Sequence, residues 1–546
     1  MTVYHLFRSV FNKQDRMKIF VLAITSLLMI RNAYSQNLKT KANWFNLDYQ
    51  QDGVHGMSVE KAYAELLKGK TSQVVIVGVI DSGVDIEHED LKGKIWVNEA
   101  EIPNNGKDDD NNGFIDDVNG WDFIGGVDGT DVVQEQLESA RLYGKYKMLF
   151  GEKPKKRLLR KYKEEYNTLK KIEKEIDEKR KEAQQYVPIY EGLKENLIIT
   201  TKMLSEALEL EEITKEDVLG LKEGDVSLNV RQAKRYWLRL AEMGVDMEGV
   251  EESLSYFKDR LEFNFNIDFD ARSVVGDNPE KLEYGKYGNN EVRGPRALHG
   301  THVAGIIAAN RNNDLGIKGV ADNVRIMVVR TVPGGDERDK DVANAIRYAV
   351  DNGAQIINMS FGKPYSPEKK WVDDAVKYAE SKGVLLVAAA GNENTDIDKE
   401  VHYPSKNFKN GGQASNWIGV GASSHELEEN LVADFSNYGQ LGVDVFAPGV
   451  AIYSSVPDSK YSEQGGTSMA SPAVAGVAAL LKSYFPSLTA TQLKTVILNS
   501  SDKLTDLKVK KPGGSGEVSF GELSVSGGIV NAYNAVQMAE QMTAQQ

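Results

Sequence analysis

The sequence predicts an α/β domain built on a mostly parallel sheet and interrupted by a mainly α-helical insertion. Residues 74–80 read VVIVGVI, a continuous β-branched run closed by Asp81-Ser82-Gly83, which suits a strand buried on both faces. Similar apolar runs recur at 325–332, 354–360, 383–390 and 417–421, with helical patterns such as 341–352 and 369–382 between them. Residues 130–270 depart from that alternation. There Tyr162, Tyr166, Leu169, Ile172 and Ile176 recur at spacings of four and three, with lysines and glutamates filling the gaps.

Along the chain, Lys18 precedes an apolar run at 19–30 and small residues at Ala33 and Ser35, so 1–35 reads as a cleavable secretory signal. The run is too short to span a bilayer comfortably. Residues 36–70 form a short mixed segment. The α/β domain is expected at 71–130 and 285–546, around a charged helical insertion at 131–284. Within the insertion, further helical patterns at 201–212, 229–243 and 247–261 suggest an antiparallel helical pair. After it, 471–484 reads as a buried small-residue helix, 511–528 as a Gly- and Ser-rich loop or hairpin, and 531–542 as a closing helix.

Composition narrows the function. The 546 residues carry 66 Lys and Arg against 80 Asp and Glu, a net charge of −14, which argues against nucleic-acid binding. The insertion runs the other way, with 16 basic and 8 acidic residues between 141 and 182. Its basic face reads either as a partner-docking surface or as an ordinary solvated helix face. The absence of cysteine excludes disulfides, thiolate zinc sites and cysteine nucleophiles. No stretch after the first 35 residues is apolar enough to span a membrane. The mature chain is therefore expected to be exported, to the periplasm or beyond the cell.

Three local sequences carry chemistry. Asp81-Ser82-Gly83-Val84-Asp85 follows the first buried strand. His299-Gly300-Thr301-His302-Val303-Ala304-Gly305 and Gly466-Thr467-Ser468-Met469-Ala470-Ser471-Pro472 each open a helical pattern. In open α/β sheets the reactive crevice lies beyond the carboxyl ends of the strands, where Asp81 sits. A serine hydroxyl needs an imidazole to take its proton and return it to a leaving amine. The imidazole needs a carboxylate on its other nitrogen to fix the tautomer and stabilise the imidazolium. A helix N-terminus at Ser468 favours developing negative charge. Alone, each residue reads as a cap or a structural group; together, in the order Asp, His, Ser, they read as a catalytic set.

These motifs resemble the subtilisin-like serine protease family, peptidase S8, nearly letter for letter. The resemblance implies a three-layer fold with a mostly parallel central sheet, and a serine endopeptidase that acts on protein or peptide substrates through an acyl-enzyme. It implies that Asp81 orients His299, that His299 is the general base and acid, and that Ser468 is the nucleophile. Ala388-Ala389-Ala390-Gly391-Asn392 resembles the oxyanion-hole segment, with Asn392 as the side-chain donor. Ser360-Phe361-Gly362 matches the segment that pairs with substrate backbone, and Gly334-Gly335 the start of the opposing strand. Tyr403-Pro404 matches a cis peptide beside the specificity pocket, which puts His402 near the pocket base. The match covers about 74–129 and 285–539. It leaves out the insertion, which separates Asp81 from His299 by 218 residues where the family commonly uses a few tens. It also leaves no room in 36–70 for a long inhibitory propeptide.

Metal signals are also present. Asp108, Asp110 and Asn112 alternate ahead of Gly113, as at the start of a calcium loop, and Asp116 or Asp117 is expected to replace the missing terminal Glu. Oxygen donors without His or Cys favour Ca2+ over zinc. The family resemblance implies a second structural calcium site, with side chains from Asp90 and Asn313 and carbonyls from Leu315 and Ile317.

Overall fold

The computed structural model describes residues 42–426 and 428–545; the expected signal segment, 1–35, lies outside them. The described residues divide into two compact units, one of 139–269 and one of 42–138 with 270–545.

The first unit is helical. Helix α1 spans Glu138–Phe150, α2 Lys163–Leu208, α3 Leu228–Glu242 and α4 Met247–Asp259. One core gathers Ala183, Tyr186, Tyr190 and Leu197 of α2 with Leu240, Val250, Leu254 and Phe257. Tyr186 stacks on Phe257 with ring centroids 4.9 Å apart. The sequence pattern suggested separate helices before and after position 200. The structure runs one 46-residue helix through Pro188 and Gly192, because packing on α3 and α4 outweighs both breakers.

The second unit is built on a nine-stranded sheet. Its strands are β1 (Val75–Asp81), β2 (Gly120–Asp122), β3 (Val324–Arg330), β4 (Ile356–Met359), β5 (Leu385–Ala389), β6 (Trp417–Ser423) and β7 (Val445–Pro448), with two short strands at one edge. From β7 to the far edge the order is β7-β6-β5-β4-β1-β3-β2, and every pair among these is parallel. A separate hairpin joins β8 (Ile452–Val456) to β9 (Lys460–Gln464). The edge strands β10 (Asp502–Lys503) and β11 (Gly528–Ile529) pair antiparallel.

Helices cover both faces, so the unit has three layers. On one face lie α5 (Leu298–Ala308) and α8 (Thr467–Tyr484), whose Val303, Ile307, Val474 and Val477 share a core with Val77 and Val79 of β1. On the other face lie α6 (Asp339–Asp351) and α7 (Lys369–Ser381), which pack against each other. Gly78 faces α6, where a Cβ would lie 3.1 Å from the Ala349 methyl. The alternation along β1 thus assigns one side to each helix layer. Helices α9 (Ala490–Ser500) and α10 (Ala532–Ala544) close the chain.

The N-terminal segment is part of this unit. Trp44 and Phe45 are fully buried in the main core, the Trp44 indole donates to Ala451 O at 3.1 Å, and the Asn46 amide donates to Lys318 O at 2.7 Å. Among the described residues, no helix is long and apolar enough to cross a membrane.

Candidate active site

Three consecutive strands of the sheet, β5, β4 and β1, lead at their carboxyl ends into the motif residues Asn392, Ser360 and Asp81. Asp81 is the last residue of β1 and is 1% exposed. Its Oδ1 accepts from Ser82 N at 2.7 Å, from Ser82 Oγ at 3.2 Å and from His299 Nδ1 at 2.7 Å. Two glycines make that approach possible. At Gly83 (φ +114°) a Cβ would lie 2.0 Å from Arg293 O, and at Gly300 a Cβ would lie 2.1 Å from Gly83 O. The start of α5 therefore comes into backbone contact with the end of β1, and His299 reaches Asp81.

His299 feels two opposed effects. Burial disfavours its imidazolium, and the Asp81 carboxylate outweighs that, so its pKa lies above the ordinary value. One turn on, His302 is fully buried, and Nε2 lies 2.9 Å from Ile452 O and 3.2 Å from Ser462 O. Carbonyls only accept, so Nε2 carries a proton. Burial, with the His299 charge adding to it, pushes the pKa of His302 down to about 3.

Ser468 is the second residue of α8, and it is locked to the segment after β4 by two bonds. Ser468 Oγ donates to Ser360 O at 3.1 Å, and Ser360 Oγ donates to Ser468 O at 2.9 Å. The Ser468 carbonyl is open to this second bond because Pro472, four residues on, has no N–H to offer it. Behind the pair, Asn358 Nδ2 donates to Ser360 Oγ at 2.9 Å and Ser471 Oγ donates to Asn358 Oδ1 at 2.7 Å. Asn358 and Ser471 escaped the sequence reading, since a polar residue in a strand or a small-residue helix signals nothing until its partner 113 residues away is known.

Asn392 follows β5. Its Oδ1 accepts from Thr467 N at 2.9 Å and Thr467 Oγ1 at 3.0 Å, which fixes the amide and leaves Nδ2 toward Gly466. A Cβ on Gly466 would lie 3.5 Å from Asn392 Nδ2 and 3.6 Å from Ser468 N, so two N–H donors converge beside a residue without a side chain. Phe361 is 9% exposed and leads to Gly362, while Tyr403–Pro404 is a cis peptide. Gly334 and Gly335 follow β3, and Gly334 N donates to Val133 O at 2.8 Å while Gln134 bridges to it. That edge is taken within the chain.

The acidic loop sorts its carboxylates into two roles. Asp108 accepts from Asn112 N and Gly113 N, and Asp116 from Asn105 N and Gly106 N, so both shape turns. Asn112 spends its Oδ1 on Phe114 N and its Nδ2 on Asp110 and Asp117. The residues that converge are Glu101, Asp110 and Asp117, with one ligand atom from each within 4.8 Å of the others. Glu101 Oε2 is buried without a hydrogen-bond partner, and burial pushes Asp117 up to about 6 despite bonds from Tyr348, Asn112 and Asn98. Buried carboxylates with an unmatched oxygen fit a hard divalent cation. Glu101 was missed because it stands seven residues before the motif. The Asp90 site fits less well. Asp90 accepts from Asn313 Nδ2 at 2.8 Å and Ile317 N at 3.3 Å, and Asn313 Oδ1 accepts from Leu315 N, so these oxygens are satisfied by the chain itself.

Residues 72–516 match the sequence profile of the subtilase family, Peptidase_S8. The chain is 40% identical over 239 residues to a thermophilic serine proteinase of Bacillus sp. (strain AK1), covering 44% of this chain and 52% of that protein. It is 41% identical over 241 residues to thermitase of Thermoactinomyces vulgaris, covering 44% and 75%. It is 39% identical over 208 residues to subtilisin BL of Lederbergia lenta, covering 38% and 71%. The match thus spans about half the length of the first of these relatives.

Proposed function

The chain belongs to the subtilase family, and from that membership we propose that it is an exported serine endopeptidase acting through Asp81, His299 and Ser468. Two observations support the reading: the 2.7 Å contact between a buried Asp81 and His299 Nδ1, and the convergence of Ser468 N and Asn392 Nδ2 beside Gly466.

Each group then has one task. Asp81 holds the proton on His299 Nδ1 and leaves Nε2 as the base. His299 takes the proton from Ser468 Oγ as the oxygen attacks the scissile carbonyl, so the hydroxyl must leave its bond to Ser360 O. The oxygen of the tetrahedral intermediate gathers charge between Ser468 N and Asn392 Nδ2, which Thr467 has already oriented. His299 returns the proton to the leaving amine, and a water activated the same way hydrolyses the acyl-enzyme. Ser360 keeps the start of α8 in register throughout, through Ser468 O.

A bound Ca2+ would be structural. Glu101, Asp110 and Asp117 would hold it, and it would offset most of the negative charge of three converging carboxylates in the loop ahead of β2. Export rests on the basic start, apolar run and small residues of 1–35.

The test is hydrolysis of casein and of short fluorogenic peptides. The wild type is expected to cleave both, and Ser468→Ala to lose about 10⁴-fold or more in kcat. Equal turnover by the variant refutes the assignment.

A further inference from the structure

On the endopeptidase reading, the residue that supplies the scissile carbonyl must direct its side chain into the gap between the segments leaving β4 and β5. Ser468 lies against the first, at Ser360, and Asn392 belongs to the second. In this chain the gap is filled. A Cβ on Gly362 would lie 2.0 Å from His402 Nε2, and a Cβ on Gly391 would lie 2.8 Å from His402 Cε1. The imidazole edge therefore sits between the two glycine walls, and neither wall could carry a side chain with the ring in place.

The ring is held there by the backbone. Tyr403 N donates to Lys363 O at 2.9 Å and Lys363 N donates to Tyr403 O at 2.8 Å, a two-way bridge that ties the residue after His402 to the residue after Gly362. His402 Nε2 is buried and has no hydrogen-bond partner, and Nδ1 is 3.8 Å from Glu393 Oε2. Ile397, Val401 and His402 line two hollows and so form the wall between them. One, of about 180 Å³, opens toward Pro364, Glu393 and Glu400; the other, of about 40 Å³, lies behind, against Ala389 and Trp417.

We propose that His402 sets the primary specificity, limiting the subsite to small neutral side chains such as Ala, Gly and Ser. Removing its ring would join the front and rear hollows into a slot that accepts Phe or Leu. Glu393 and Glu400 at the mouth exclude an acidic side chain by charge.

The test uses succinyl-Ala-Ala-Pro-X p-nitroanilides, with X as Ala, Ser, Leu, Phe, Lys and Glu, for the wild type, His402→Gly and His402→Ser. Rates are divided by the burst amplitude on p-nitrophenyl acetate, which counts competent Ser468 without engaging the subsite. The wild type is expected to favour Ala over Phe by about tenfold or more in kcat/KM, and the ratio to move toward Phe by about tenfold or more in His402→Gly. If His402→Gly fails to fold, His402→Ser carries the comparison. A wild type that prefers Phe, Leu or Lys to Ala overturns the proposal, as does a ratio unmoved in a folded variant. A wild type that hydrolyses neither p-nitrophenyl acetate nor any of the anilides overturns the endopeptidase reading as well.

Discussion

At the scale of single residues, the proposed catalytic geometry depends on a few positions with no side chain and a few amides with fixed orientation. Gly83 and Gly300 allow His299 to meet Asp81, and Thr467 aims Asn392. Asn392→Ala is expected to lower kcat by about 10²–10³, with KM nearly unchanged, because the donor acts on charge that exists only after attack. A rise in KM with kcat unchanged would assign Asn392 to ground-state binding instead. The base must be neutral to act, so kcat/KM should fall as pH drops through the raised pKa of His299. Asp81→Asn removes the carboxylate that raises it. The acid limb should then move to lower pH while kcat falls about 10⁴-fold; an unmoved limb contradicts the electrostatic role of Asp81. The three residues of the proposed triad stand out in the sequence because each lies inside a contiguous motif. Asn358, Ser471 and Glu101 were not, because each acquires meaning only from a partner that folding supplies.

At the scale of elements, α5 carries two histidines with opposite duties. His299 faces the crevice, and His302 is sealed as a neutral donor to the β8–β9 hairpin. The unfolded chain takes up a proton on His302 near pH 6.5, whereas the folded chain resists until about pH 3. The stability that this histidine contributes is complete above pH 6.5 and declines as pH falls toward 3. Urea midpoints measured across that range should fall in the wild type and fall less steeply in His302→Gln; equal slopes contradict the assignment. Strands β1 and β3 to β6 were legible as apolar runs because both faces are covered. The two-residue edge strands β10 and β11 were not, since their pairing is set by neighbours rather than by pattern. The length of α2 was obscured by Pro188 and Gly192, whose local cost is overcome only by the helical core.

At the scale of the whole molecule, surplus length resolves into a second folded unit with its own aromatic core, and surplus acid into a loop with converging carboxylates. Chelation of divalent ions should lower the melting temperature, and Glu101→Gln should shrink that drop; a melting temperature indifferent to chelator contradicts the metal assignment. The motifs and the alternating pattern revealed the sheet unit, but they did not reveal how residues 42–70 are used. That segment is short and mixed in sequence, yet it buries Trp44 and Phe45 in the main core. The central claim is that Ser468 is an activated nucleophile, and the most direct measurement is peptide mapping of protein treated with a fluorophosphonate. A single adduct on Ser468, slowed in His299→Ala and absent in Ser468→Ala, is the predicted result. An adduct elsewhere, or labelling that persists without the Ser468 hydroxyl, would contradict it.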